Sequence, residues 1–137
     1  MLNIGWFSTG RDEAARQLLQ AVQESIATSD IAGKISFVFS NREPGKSVES
    51  DSFFDLVHSY SIPLICLSHK KFKNKTRQSH ESWRLSYDRE VYSRIRTFTP
   101  DICVLAGYML IIGEELCRKY SMMIPCFYKT TFPKDLS

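Results

Sequence analysis

Apolar residues enter this chain in two alternating forms, short unbroken runs and stripes spaced by three or four. Leu2 to Phe7 is a run holding a β-branched residue and two aromatics, which predicts a strand. Ser8 to Glu13 follows as a polar loop with capping residues. From Glu13 onward, Ala14, Leu18, Leu19, Val22 and Ile26 recur at helical spacing until Ala32-Gly33. Ile35 to Phe39 predicts a second strand, and Asn41 to Ser50, with Pro44-Gly45, has the chemistry of a turn. Phe53, Phe54, Leu56 and Val57 predict a short helix, and Ile62 to Leu67 a third strand. Lys70 to Ser82 is polar without a period and is expected to be a solvated loop. Trp83, Tyr87, Val91 and Ile95 stand four apart and form one helical stripe. Ile102 to Ala106 predicts a fourth strand, Glu114 to Tyr120 a short helix and Met122 to Cys126 a fifth strand. Beyond Cys126 there is no period, and Pro133 blocks a continued central strand.

Alternating strands and helices predict a parallel sheet with right-handed crossovers and helices on both faces, an α/β, Rossmann-like fold. The expected organisation is one domain over residues 1–126 and an unpatterned tail over 127–137. Pro100 to Gly113 carries the most information. Its apolar run breaks at Gly107 into Tyr108 and Met109, as a buried parallel strand does when it delivers a loop to the carboxyl edge of a sheet, where α/β proteins bind ligands.

Composition narrows the function classes. A hydrophobic content of 43% over 137 residues is globular and sufficient for a core. A net charge of +3, with basic and acidic residues interleaved, argues against a nucleic-acid binder. The densest basic stretch, Lys70 to Arg77, is expected to be solvated. The four cysteines lack C-x-x-C spacing, and Cys66 and Cys103 lie within apolar runs, as core thiols of a reducing compartment do. There is no basic amino-terminal region followed by a long apolar run, and no run near the roughly 20 residues that span a bilayer. A cytoplasmic location without membrane contact is expected.

Candidate chemistry is sparse. Ser8-Thr9-Gly10-Arg11-Asp12-Glu13 is the first strand-to-helix turn, the usual place for a phosphate in a doubly wound fold. With one glycine it is not a dinucleotide fingerprint, and taken alone it reads first as an ordinary helix cap. Arg11 favours a phosphate, whereas Asp12 and Glu13 repel one. His58, His69 and His80 show no metal spacing and are expected to be surface residues. Asp88 and Arg89 are expected on a solvated helix face. Arg84, one turn earlier, is placed either on that face or against an anionic ligand.

Five segments in fixed order carry a family resemblance. They are the first strand with Ser8, the strand ending in Ser40-Asn41-Arg42, Ile62-Pro63 with Ser68-His69-Lys70, Tyr87-Asp88-Arg89-Glu90-Val91, and Pro100-Asp101 leading into Val104-Leu105-Ala106-Gly107-Tyr108-Met109. Over about residues 1–123 the chain resembles the folate-dependent formyltransferases, of the phosphoribosylglycinamide formyltransferase type. The resemblance implies transfer of a formyl group from 10-formyltetrahydrofolate to glycinamide ribonucleotide. By position it implies Arg11, Asp12 and Glu13 against the substrate phosphate. Arg84 and the segment Met109, Leu110, Ile111 and Ile112 would face the folate.

The family's first loop is rich in Gly, Ser and Asn, and an arginine is usual at the position of Leu110. On the fifth strand the family has Asn-x-His-Pro, with an Asp further on. The Asn and His polarise the formyl carbonyl and handle the proton. Here those positions fall at Ile124 and Cys126, so no catalytic residue is assigned, and the expectation is a chain truncated at its carboxyl end and catalytically impaired. A silent nucleotide- or folate-binding module and a formyltransferase acting on another amine stay open, as does a homodimer paired through an exposed sheet edge.

Overall fold

The computed structural model describes residues 1–76, 80–110, 112–120 and 123–126. The tail expected over 127–137 lies outside them. Five strands form one all-parallel sheet in the order β3-β2-β1-β4-β5. They are β1 (Leu2–Phe7), β2 (Gly33–Ser40), β3 (Leu64–Cys66), β4 (Ile102–Ala106) and β5 (Met123–Cys126). The helices are α1 (Glu13–Ala27), α2 (Val48–Ser59), α3 (His69–Thr76), α4 (His80–Ile95) and α5 (Glu114–Lys119), with a short 3-10 helix at Arg96–Phe98.

Side-chain alternation gives each face of the sheet its own core. On one face Ile4, Trp6, Val38 and Ala106 pack with Ala15 and Leu19 of α1 and Phe53, Phe54 and Val57 of α2. On the other, Phe7, Phe37, Phe39 and Cys103 pack with Trp83, Tyr87, Val91 and Ile95 of α4 and Leu116 of α5. The helical stripe Trp83-Tyr87-Val91-Ile95 is therefore the core-facing edge of α4. One irregularity makes both faces work. Ile4 pairs with Ile35 but Gly5 pairs with Phe37, so Ser36 is an extra residue in β2. This bulge shifts the side-chain parity once and returns Ile35 and Val38 to one core, although they stand three apart. Ser36 is buried, and its hydroxyl donates to the Ile4 carbonyl at 3.3 Å.

Three expectations are corrected. Of the stretch 70–82, expected to be loop, residues 70–76 lie in α3 and 80–82 in α4, while 77–79 lie outside the described residues. Ser68 caps α3 by accepting the Lys71 amide at 3.2 Å, and its Phe72 ring meets Tyr87 edge-on at 5.4 Å. One aromatic among lysines is too little apolar signal to show a period. Asp88, expected on a solvated face, is 6% exposed. Its carboxylate lies against Gly113, where any Cβ would overlap Oδ2. The third strand is also shorter than expected, Leu64–Cys66, because Pro63 precedes it without an amide to donate.

Candidate functional site

The chain runs outward from β1 through β2 to β3, then crosses back to β4 on the other side of β1. The β1/β4 junction is thus the switch point, and the loops after these strands border its crevice. The Thr9 amide donates to the Gly107 carbonyl at 3.2 Å across this junction. Gly10 then adopts φ +65°, and a Cβ there would meet the Phe53 ring at 2.7 Å. The turn is fixed by close approach to α2 as well as by backbone shape.

Behind the crevice, side chains join four strand ends in their spatial order. The Met109 amide, after β4, donates to Thr9 Oγ1 at 2.8 Å. Thr9 Oγ1, after β1, donates to Asn41 Oδ1 at 2.8 Å. Asn41 Nδ2, after β2, contacts His69 Nδ1 at 3.1 Å. Thr9 and Asn41 are 1% and 2% exposed, so these bonds are shielded from water. An amide nitrogen only donates. Nδ1 of His69 therefore accepts, and the ring proton sits on Nε2. Partial burial depresses the His69 pKa below the ordinary imidazole value. The Asn41 backbone carbonyl favours a protonated ring, but the charges of Lys70, Arg42 and Lys73 act with burial, and the net shift is downward.

A second link runs on the α4 side. The Tyr87 hydroxyl donates to the Leu67 carbonyl, after β3. Tyr108 and Tyr87 also share a side-chain hydrogen bond, and burial raises the pKa of both phenols. Tyr108 and Met109, adjacent after β4, are therefore tied by two routes to the β3–α3 junction, which gives the carboxyl edge a preorganised floor.

That floor opens into a cleft of about 620 Å³ lined by Thr9, Asn41, Arg42, Lys46, His69, Lys70 and Met109, with Glu43, Ser47, Ser68 and Lys71. Of the residues expected to bind, Met109 lines it, with its side chain 54% exposed. Leu110 and Ile112 pack instead on the α4-side core, and Ile111 lies outside the described residues. Arg84, on α4, lies over the Trp83 ring at 5.7 Å. Its Nε is buried with no hydrogen-bond partner among the described residues. Asp12 caps α1 by accepting the Ala15 amide at 3.1 Å and stands 3.7 Å from Arg11 Nε. Glu13 lies in the first turn of that helix. Arg11, Asp12 and Glu13 are not among the residues lining the cleft.

His69 is the member that sequence reasoning missed. It was expected on the surface, yet it is half-buried at a strand end. The available signal was its position three residues beyond Cys66, where the chain leaves the sheet edge. No cluster of three or more His, Cys, Asp or Glu side chains able to hold a metal occurs among the described residues. Nor is any described helix long and apolar enough to cross a membrane.

An all-parallel sheet with its polar floor at the switch point defines a Rossmann-like α/β domain. The sequence pattern of the formyl transferase family matches residues 7–125, and the chain belongs to that family. It is 27% identical over 117 residues to the phosphoribosylglycinamide formyltransferase of Escherichia coli K12, covering 85% of this chain and 48% of that protein. In fold it is similar to glycinamide ribonucleotide transformylase 1 from Symbiobacterium toebii, with a TM-score of 0.68 and 17% identity over 91% of this chain and 50% of that one. A formyltetrahydrofolate deformylase from Pseudomonas putida KT2440 is similar in fold at a TM-score of 0.62 and 16% identity, over 96% of this chain and 39% of that one. The chain spans about half the length of the relatives it matches.

Proposed function

We propose that this chain binds a folate formyl donor, 10-formyltetrahydrofolate, at the carboxyl edge of its sheet and transfers the formyl group to glycinamide ribonucleotide at a negligible rate. Membership of the formyl transferase family supports the chemistry. The observation that carries the impairment is the pairing of β5 with β4, Val104 with Ile124 and Ala106 with Cys126. The strand that brings the family's Asn and His to the formyl carbon here holds Ile124, which can neither donate nor accept, and Cys126. Loss of an oxyanion donor costs on the order of a hundredfold or more in rate, and loss of general acid–base help a further similar factor.

The residues on the donor side fit a folate. The Arg84 Nε is a buried donor without an acceptor among the described residues, which a carboxylate would satisfy. Met109 presents an exposed apolar side chain to a flat ring, with Leu110, Ile111 and Ile112 continuing the same segment. When bound, the folate supplies an activated formyl carbon for acyl transfer. The chain's own groups orient it, with Thr9 fixing the Met109 amide and the tyrosine pair fixing Tyr108. Arg11, at the first loop, is the cation available there to a substrate phosphate, with Asp12 and Glu13 holding the start of the helix.

Calorimetric titration of the chain with tetrahydrofolate tests the binding half. Saturable binding that Arg84→Ala weakens by roughly tenfold, about 1.4 kcal/mol, is expected. Absence of binding by the folded chain would contradict it.

A further inference from the structure

The cleft between the β2–α2 loop and the start of α3 lies on the β3 side of the switch point and shares only Met109 with the segment assigned to the folate. Its charge is unbalanced. Arg42, Lys46, Lys70 and Lys71 line it with a single acid, Glu43. Glu43 is engaged by Lys71 at 2.6 Å. Among the described residues Arg42, Lys46 and Lys70 have no ion pair. Arg42 is held in place, with Nη1 donating to Ser50 Oγ at 3.2 Å and its amide donating to Ser40 Oγ at 3.2 Å. Exposed lysines alone would be a solvated face. Here they surround a concavity with a fixed donor at its floor.

That donor is His69. Its Nδ1 faces Asn41 Nδ2 at 3.1 Å, at the end of the line of bonds that runs through Thr9 to the Met109 amide. The remaining proton is on Nε2, on a half-buried ring that lines the cleft. Burial first, and then the charges of Lys70, Arg42 and Lys73, disfavour extra positive charge on this ring. A compact dianion with several acceptor oxygens meets what the cleft offers, a guanidinium fork, two ammonium groups and a neutral N–H. The volume of about 620 Å³ suits a small molecule, within the usual range of roughly 300–1,000 Å³.

We propose that this cleft is a phosphate-monoester site, formed by Arg42, Lys46, Lys70 and the Nε2–H of His69, separate from the first loop at Arg11. The site serves a phosphorylated small molecule whatever the fate of the formyl group.

Ribose 5-phosphate is the probe, titrated into the full 137-residue chain and followed by amide chemical shifts, with ribose as the control. Saturable shifts centred on residues 41–47 and 68–71 are expected with the phosphate ester and not with ribose. The double variant Lys46→Ala/Lys70→Ala, both on the surface, should weaken binding by about tenfold, and His69→Gln by about threefold, each with unchanged chemical shifts elsewhere. Arg11→Ala should change it less than about twofold. Binding centred on the first loop and lost in Arg11→Ala would overturn the assignment, as would no saturation by the folded chain. A single-stranded oligonucleotide that binds tighter than the ester and involves Lys73 and Lys75 would replace it with a nucleic-acid surface. The probe requires neither folate nor turnover, so this test fails or succeeds independently of formyl transfer.

Discussion

Met109 and Thr9 are 100 residues apart in sequence, and the amide of one donates to the hydroxyl of the other at 2.8 Å. The same hydroxyl donates to Asn41 Oδ1, so one buried oxygen fastens three strand ends. Thr9→Val keeps the shape and removes the oxygen, leaving a buried amide oxygen and a backbone N–H unmatched. At about 1–3 kcal/mol for each stranded group, urea unfolding should show a loss of about 2–4 kcal/mol. Hydrogen exchange should accelerate at Met109. A loss below about 0.5 kcal/mol would mean the bonds contribute little.

His69 makes stability depend on pH. Its folded pKa lies below the ordinary value of 6.5, so the unfolded chain takes up a proton first as pH falls. The contribution is whole above about 6.5 and declines below that, until the folded-state ring also titrates. Unfolding free energies at about pH 7.5 and about pH 5.5 should differ, and His69→Gln should reduce the difference. NMR titration of the ring should give a pKa below 6.5. A midpoint at or above that value would contradict the half-buried, cation-flanked geometry.

Gly113 is required for contact and not for backbone freedom. Its φ is −81°, open to any residue, yet a Cβ would overlap Asp88 Oδ2 and lie 3.1 Å from Cγ. Asp88 is buried on α4, while Gly113 caps α5, so the clash separates two helices on one face. Gly113→Ala should lower stability by about 1–3 kcal/mol, as overpacking does, measured by thermal unfolding. An unchanged midpoint would show that the carboxylate moves aside freely.

The thiols should separate by reactivity. Burial pushes Cys66 up to about 11, with Glu43 adding to it, and Cys103 up to about 12. Cys117 is exposed. At about pH 8 the thiolate is the reacting species, so iodoacetamide should modify Cys117 while Cys66 and Cys103 wait for unfolding. Peptide mapping reads this directly. Early labelling of Cys103 would contradict its place between the sheet and α4.

What the sequence revealed and what it hid have a common physical cause. β1, β2 and β4 were legible because each is a short apolar run, and α4 because four large residues repeat at one spacing. The helix α3 was hidden because its cap, Ser68, and its single anchor, Phe72, leave no periodic stripe. The floor of the site was hidden for another reason. Thr9, Asn41 and His69 are ordinary polar residues in three separate loops, and only the strand order β3-β2-β1-β4 brings them into one line. The Ser36 bulge was equally invisible, since a serine in an apolar run carries no register information. The family resemblance pointed to Met109 and Arg84 by position alone, and Met109 lines the cleft. The cationic cleft draws on Lys46 of the β2–α2 loop and on Lys70 and Lys71 of α3, the latter two in the basic stretch that composition assigned to solvent.

The central claim is a donor-binding edge whose β5 lacks the acid–base pair. It is tested most directly by the steady-state rate of formyl transfer from 10-formyltetrahydrofolate to glycinamide ribonucleotide by this chain, with both at saturation. Ile124 and Cys126 in place of Asn and His predict a kcat at least about a thousandfold below the typical ~10 s⁻¹ of enzymes. Turnover of about one per second or faster would contradict the account, because the formyl carbon would then be activated by groups it does not contain.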